Sequence, residues 1–66
     1  MKASAEYWKD GRNDLWVAEA KAIAGEPGEP VITVRVTRCR TMKRARAELD
    51  KASHRHGWII TEWVRL

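Results

Sequence analysis

Few side chains in this chain are built for bond-making. Cys39 is its one cysteine, and His54 and His56 are its two histidines. A thiol beside an imidazole is the one conceivable nucleophilic pair, and arginines flank Cys39 in the sequence. No glycine-rich oxyanion loop accompanies it. Gly25–Pro30 contains Gly25 and Gly28 but lacks the Lys-Ser/Thr of a phosphate cradle. His54-x-His56 is not the spacing of a zinc module, and one cysteine completes no ligand set. A lone cysteine also leaves no disulfide within the chain and fits a reducing compartment. These residues imply no catalytic site, no metal and no cofactor. The expected chemistry is binding.

Binding chemistry is easier to locate. Residues 1–30 carry four basic and six acidic side chains, net −2, whereas residues 31–66 carry nine and three, net +6. Arg35, Arg38, Arg40, Lys43, Arg44 and Arg46 follow one another with no acid between them. Such a cluster attracts polyanions, and its commonplace alternative is a solvated face that keeps a small protein soluble.

The elements that must position this cluster follow from local patterning. Ala5–Trp8 reads as a short strand or a frayed helical turn. Lys9–Asn13 is rich in turn formers, and its Asp10-Gly11 step offers a glycine for the positive φ of a tight hairpin. Asp14–Ala24 carries helix-compatible alanines but opens on Leu15-Trp16-Val17. The flanking hairpin and strand signals favour a strand. Gly25–Pro30 reads as an exposed acidic loop. In Val31–Arg38, Ile32, Val34 and Val36 alternate with Thr33, Arg35 and Thr37, the pattern of a half-buried strand. Thr41 is placed to cap a helix running to about Arg55, with Met42, Ala45, Leu49 and Ala52 as its apolar stripe. Lys43, Arg44 and Arg46 sit at the helix end that disfavours positive charge, which suggests another use for them. Gly57 is the natural stop, and Trp58–Val64 reads as a final strand. His54 and His56 close the helix, where cap or phosphate contacts suit them.

The predicted fold is α+β: one domain over residues 1–66, a small antiparallel sheet with one helix packed on one face, in the order β-β-β-α-β. The crossover makes the last strand parallel to the first and third, pairing beside strand one or at the edge by strand three. Leu15, Val17, Ile32, Val34, Val36, Met42, Ala45, Leu49 and Ile60 form the expected core. The opposite face would carry Trp16, Ala18, Ala20, Thr33, Arg35, Thr37 and Cys39, and would meet water, a second copy or a ligand. The terminal strand is apolar on both faces, so it is expected in the middle of the sheet or paired across a subunit boundary.

The stretch Lys9-Asp10-Gly11, Leu15-Trp16-Val17, Val31–Thr37 and Met42–Leu49 resembles the three-stranded-sheet-plus-helix domains at the front of phage integrases. That resemblance covers about two-thirds of the chain and rests on element order. It implies a sheet inserted in a DNA groove with Trp16, Thr33 and Arg35 facing the DNA. The chain departs from it in its extra strand and in its acidic Gly/Pro loop. The order is also similar to small antitoxin-type and phage-encoded domains that dimerise through their sheets.

The expected function is therefore a non-enzymatic, basic nucleic-acid-binding accessory protein. Its contacts would come from Arg35, Arg38, Arg40, Lys43, Arg44 and Arg46, with Trp16 and Thr33 beside them. The competing reading is a protein-binding or dimerisation module. A domain of 66 residues with a small core is also expected to form a homo-oligomer. No apolar run approaches the ~20 residues needed to cross a bilayer, so no membrane is expected and the location is read as cytoplasmic.

Overall fold

In the computed structural model, residues 1–22 and 32–66 are described. The Gly25–Pro30 loop, Ile23 and Val31 lie outside them. The elements are β1 (Lys2–Asp10), β2 (Leu15–Ala22), β3 (Thr33–Cys39), α1 (Met42–Arg55) and β4 (Ile59–Arg65). They form the α+β arrangement expected from the sequence. β1 runs longer than the segment read from the sequence, beginning at Lys2.

The sheet is mixed, in the order β3-β2-β1-β4. β1 pairs antiparallel with β2, β2 antiparallel with β3, and β4 parallel with β1. Both strand-one and strand-three positions were open to β4, and it takes the first. It lies at an edge of the sheet and not in its middle.

The β1–β2 hairpin closes through side chains. The Arg12 amide donates to Asp10 Oδ1 at 2.9 Å and the Leu15 amide to Asn13 Oδ1 at 3.0 Å. The Asp14 amide donates to the Asp10 carbonyl at 2.9 Å. The positive φ falls on Asp14 at 57°, not on Gly11 as expected. A four-residue loop needs its left-handed residue just before the second strand, and aspartate tolerates that region better than most.

The helix limits are local chemistry. Thr41 adopts an extended backbone and its Oγ1 accepts from the Arg44 amide at 3.1 Å. At the other end Gly57 has φ 74°. Its amide donates to the His54 carbonyl at 2.9 Å, and the Trp58 amide donates to the Ser53 carbonyl at 3.0 Å. This is a Schellman closure, and it turns Trp58 into the core.

The helix lies on a floor of alanines. Ala3, Ala5, Ala18 and Ala20 are fully buried with Ala45 and Leu49. Tyr7, Trp16, Ala22, Val34, Val36, Ile60 and Trp63 pack around them. The small floor lets the helix approach closely, and the large rings fill the ends.

This corrects the expected assignment of β2. Trp16, Ala18 and Ala20 face the helix, whereas Leu15 and Val17 lie on the open face with Glu19 and Lys21. Apolar size favoured Leu15 and Val17 for the core. The pairing decides otherwise: Ala18 lies opposite Val36 and Tyr7, and Ala20 opposite Val34 and Ala5. Cross-strand partners share a face, so β2 must turn its alanines to the helix.

Two further expectations change. Cys39, placed on the open face, is buried under the helix side opposite Trp16. The β2–β3 register shifts between Trp16 and Ala18, and Arg38 there has φ 60°. One extra residue in a strand inverts the faces beyond it. Ile32, expected in the core, is 58% exposed ahead of β3.

Candidate nucleic-acid interface

The basic run is divided by the fold. Arg35 stands on the open face and pairs with Glu19, Nε to Oε2 at 2.8 Å. Its guanidinium also lies 5.9 Å from the centre of the Trp8 ring. Thr33 shares that face, exposed and opposite Lys21. Arg38, which strict alternation from Arg35 would turn to the covered side, lines an open-face cleft of about 240 Å³ with Trp8, Asp10, Val17 and Arg35.

The open face carries Lys2, Lys21 and Arg35 by strand alternation, with Arg38 turned there at the bulge, against Glu6, Asp10, Glu19 and Glu62. Four basic side chains meet four acidic ones, with no net charge. This face has no positive excess to offer a polyanion. Of the three residues that the integrase resemblance turns toward DNA, Thr33 and Arg35 share it and Trp16 does not.

The rest of the run gathers around the start of α1. Arg40 is exposed in the connection before the cap, and Lys43 and Arg44 are exposed in the first turn. Arg46 leans over two rings, 4.8 Å from the centre of Trp63 and 5.5 Å from that of Tyr7. Lys43 and Arg46 line one shallow groove of about 580 Å³ with Met42, Ala47, Asp50 and Trp63. Arg44 precedes Arg46 by two residues, which places it about 200° around the helix axis. It belongs to the other flank.

Trp16 comes to this end as well. Its ring lies 6.4 Å from that of Tyr7, and Tyr7 lies 6.2 Å from Trp63. The three half-buried rings make a row across β2, β1 and β4. Arg65 covers the Trp16 end at 5.4 Å. Lys9, exposed, lies opposite Trp16 on the same face. No carboxylate among the described residues lies within salt-bridge distance of Lys9, Arg40, Lys43, Arg46 or Arg65; the ion pairs there all converge on Glu19.

Tyr7, Lys9, Trp63 and Arg65 were not singled out from the sequence. Their signal was present as spacing. Tyr7 and Lys9 continue the parity of Ala3 and Ala5, and Trp63 and Arg65 are two apart on one strand.

No family model, curated protein or solved structure matches the chain. The site is read from its own geometry. Among the described residues, no group of three or more His, Cys, Asp or Glu side chains could hold a metal. No helix there is long and apolar enough to cross a membrane. Cys39 is buried, with its Sγ 3.8 Å from the Thr37 carbonyl. The chemistry on offer at the start of α1 is π faces, guanidinium groups and helix-start amides that favour an anion.

Proposed function

We propose that this chain is a non-enzymatic nucleic-acid-binding module that works through the start of α1. The observation that carries the reading is the Trp16–Tyr7–Trp63 row with Arg65 and Arg46 over its ends. Aromatic rings among unpaired cations take unpaired bases by stacking and phosphates by charge. The open sheet face, with its charges balanced, is not part of this surface.

The test is fluorescence anisotropy with labelled single-stranded DNA, single-stranded RNA and duplex DNA at low and moderate salt. Binding is expected with a steep loss as salt rises, because each phosphate contact releases counterions. Lys43→Gln/Arg46→Gln should weaken it by roughly tenfold or more. Lys21→Gln/Arg35→Gln removes the same charge from the open face and should change it by less than about threefold. If none of the three ligands gives a salt-sensitive signal at low ionic strength, the reading fails and the rings serve packing alone.

Self-association is proposed alongside it. The observation favouring it is β4, an edge strand on which Ile59 and Val64 are 63% and 40% exposed, followed by Leu66 at 66%.

A further inference from the structure

The sheet ends in two edges, and they differ in the apolar surface they expose. β3 carries the Arg38 bulge together with exposed Arg35 and Arg38 along its length. Charge and bulges are how natural edges avoid pairing with other chains. Among the described residues, β4 has β1 on one side and no strand on the other. It has an irregularity at Thr61 and the charged Glu62 and Arg65, but no proline and no lysine, and it exposes Ile59 and Val64.

The backbone says which groups are on offer. The Leu66 amide donates to the Tyr7 carbonyl at 2.9 Å, so it points toward β1. Successive residues of a strand turn their amides and carbonyls to opposite sides. Val64 therefore points inward with Leu66, while Trp63 and Arg65 point to the free edge. The register shift against β1 leaves Thr61 as the extra residue, which makes Trp63 and Arg65 the regular pairing positions of the edge.

We propose that β4 pairs antiparallel with β4 of a second copy about a two-fold axis at Val64, joining two sheets into one. This rests on the self-association reading and adds its surface and register. With the axis at Val64, Trp63 lies opposite Arg65 of the second copy, and the reverse pair follows by symmetry. Each pair exchanges both N–H···O=C bonds, so all the regular free groups are used. The side chains agree. Val64 meets Val64 on the open face, and Trp63 meets a guanidinium on the helix side. An axis at Glu62 would oppose two carboxylates, and an axis at Trp63 would draw the irregular Thr61 into the ladder. The two-fold is perpendicular to the sheet, so both helices lie on one side. The two aromatic and cationic patches then adjoin at the axis.

Sedimentation and cysteine trapping test this directly. The wild type should be a dimer, and Val64→Lys should weaken dimerisation by roughly tenfold or more through like charges at the axis. Val64 is exposed on the open face, so the thermal melt should show a folded variant. In a Cys39→Ser background, Val64→Cys should cross-link rapidly with copper–phenanthroline, because directly opposed non-hydrogen-bonded residues lie within disulfide reach. Ile59→Cys in that background should not. A wild type that stays monomeric at millimolar concentration overturns self-association and this pairing together. A dimer that Val64→Lys leaves intact and Val64→Cys fails to trap overturns the β4 pairing alone.

Discussion

The two faces of the sheet use their residues in opposite ways. The covered face is floored with Ala3, Ala5, Ala18 and Ala20, all at 0% exposure, and keeps its large rings at its ends. The open face carries the bulkier Trp8, Leu15 and Val17 with the Glu19–Arg35 pair. Hydrophobic size therefore did not select the core side. A helix needs a close, flat floor, and alanine supplies one at little loss of side-chain entropy. Val17 falls to 8% exposure with no described element layered above it. Trp8 is its cross-strand partner, and Arg35 lies over the Trp8 ring. The faces also divide the charge, with a balanced open face and a cation-rich ring row at the start of the helix.

The largest effect expected from breaking this contrast is overpacking. Ala18→Leu should destabilise the protein by about 1–3 kcal/mol, because the fully buried site has no room for the added carbons. Thr37→Leu puts similar bulk on the open face and should change stability by less than about 0.5 kcal/mol. Urea unfolding of both variants measures the difference, and equal effects would mean that both faces are covered.

The covered face also holds one polar exception. Ser53 is 0% exposed, and its hydroxyl has no hydrogen-bond partner among the described residues. Ser53→Ala should raise stability by about 1 kcal/mol, since it removes an unsatisfied buried group from a helix. A lower midpoint would show that the hydroxyl has a partner.

The smallest effect belongs to the open-face ion pair. Arg35 is more than half exposed. A double-mutant cycle of Arg35→Ala with Glu19→Gln should give a coupling under about 1 kcal/mol. A value well above that would mean the pair is shielded from water by something lying on the open face.

Much of the architecture was legible as local pattern. The alternation of Val34 and Val36 with Arg35 and Thr37 marked β3 and its correct face. Thr41 and Gly57 marked both ends of the helix, because capping depends on residues within one turn. The candidate site was less legible. Arg35 and Arg46 belong to one basic run, yet they stand on different sides of the sheet. Trp16 was noticed, but its partners Tyr7 and Trp63 come from strands that are distant in sequence.

The sequence by itself determined the order of elements, the helix limits and the two alternating residue sets within each regular stretch of strand. These depend on φ preferences, caps and periods that reach only a few residues. Tertiary structure decided which set of β2 faces the helix, where Cys39 points and which cations meet the rings. A period of two is symmetric between the faces, so only the pairing partners can break the tie. One extra residue at Arg38 then reverses everything beyond it.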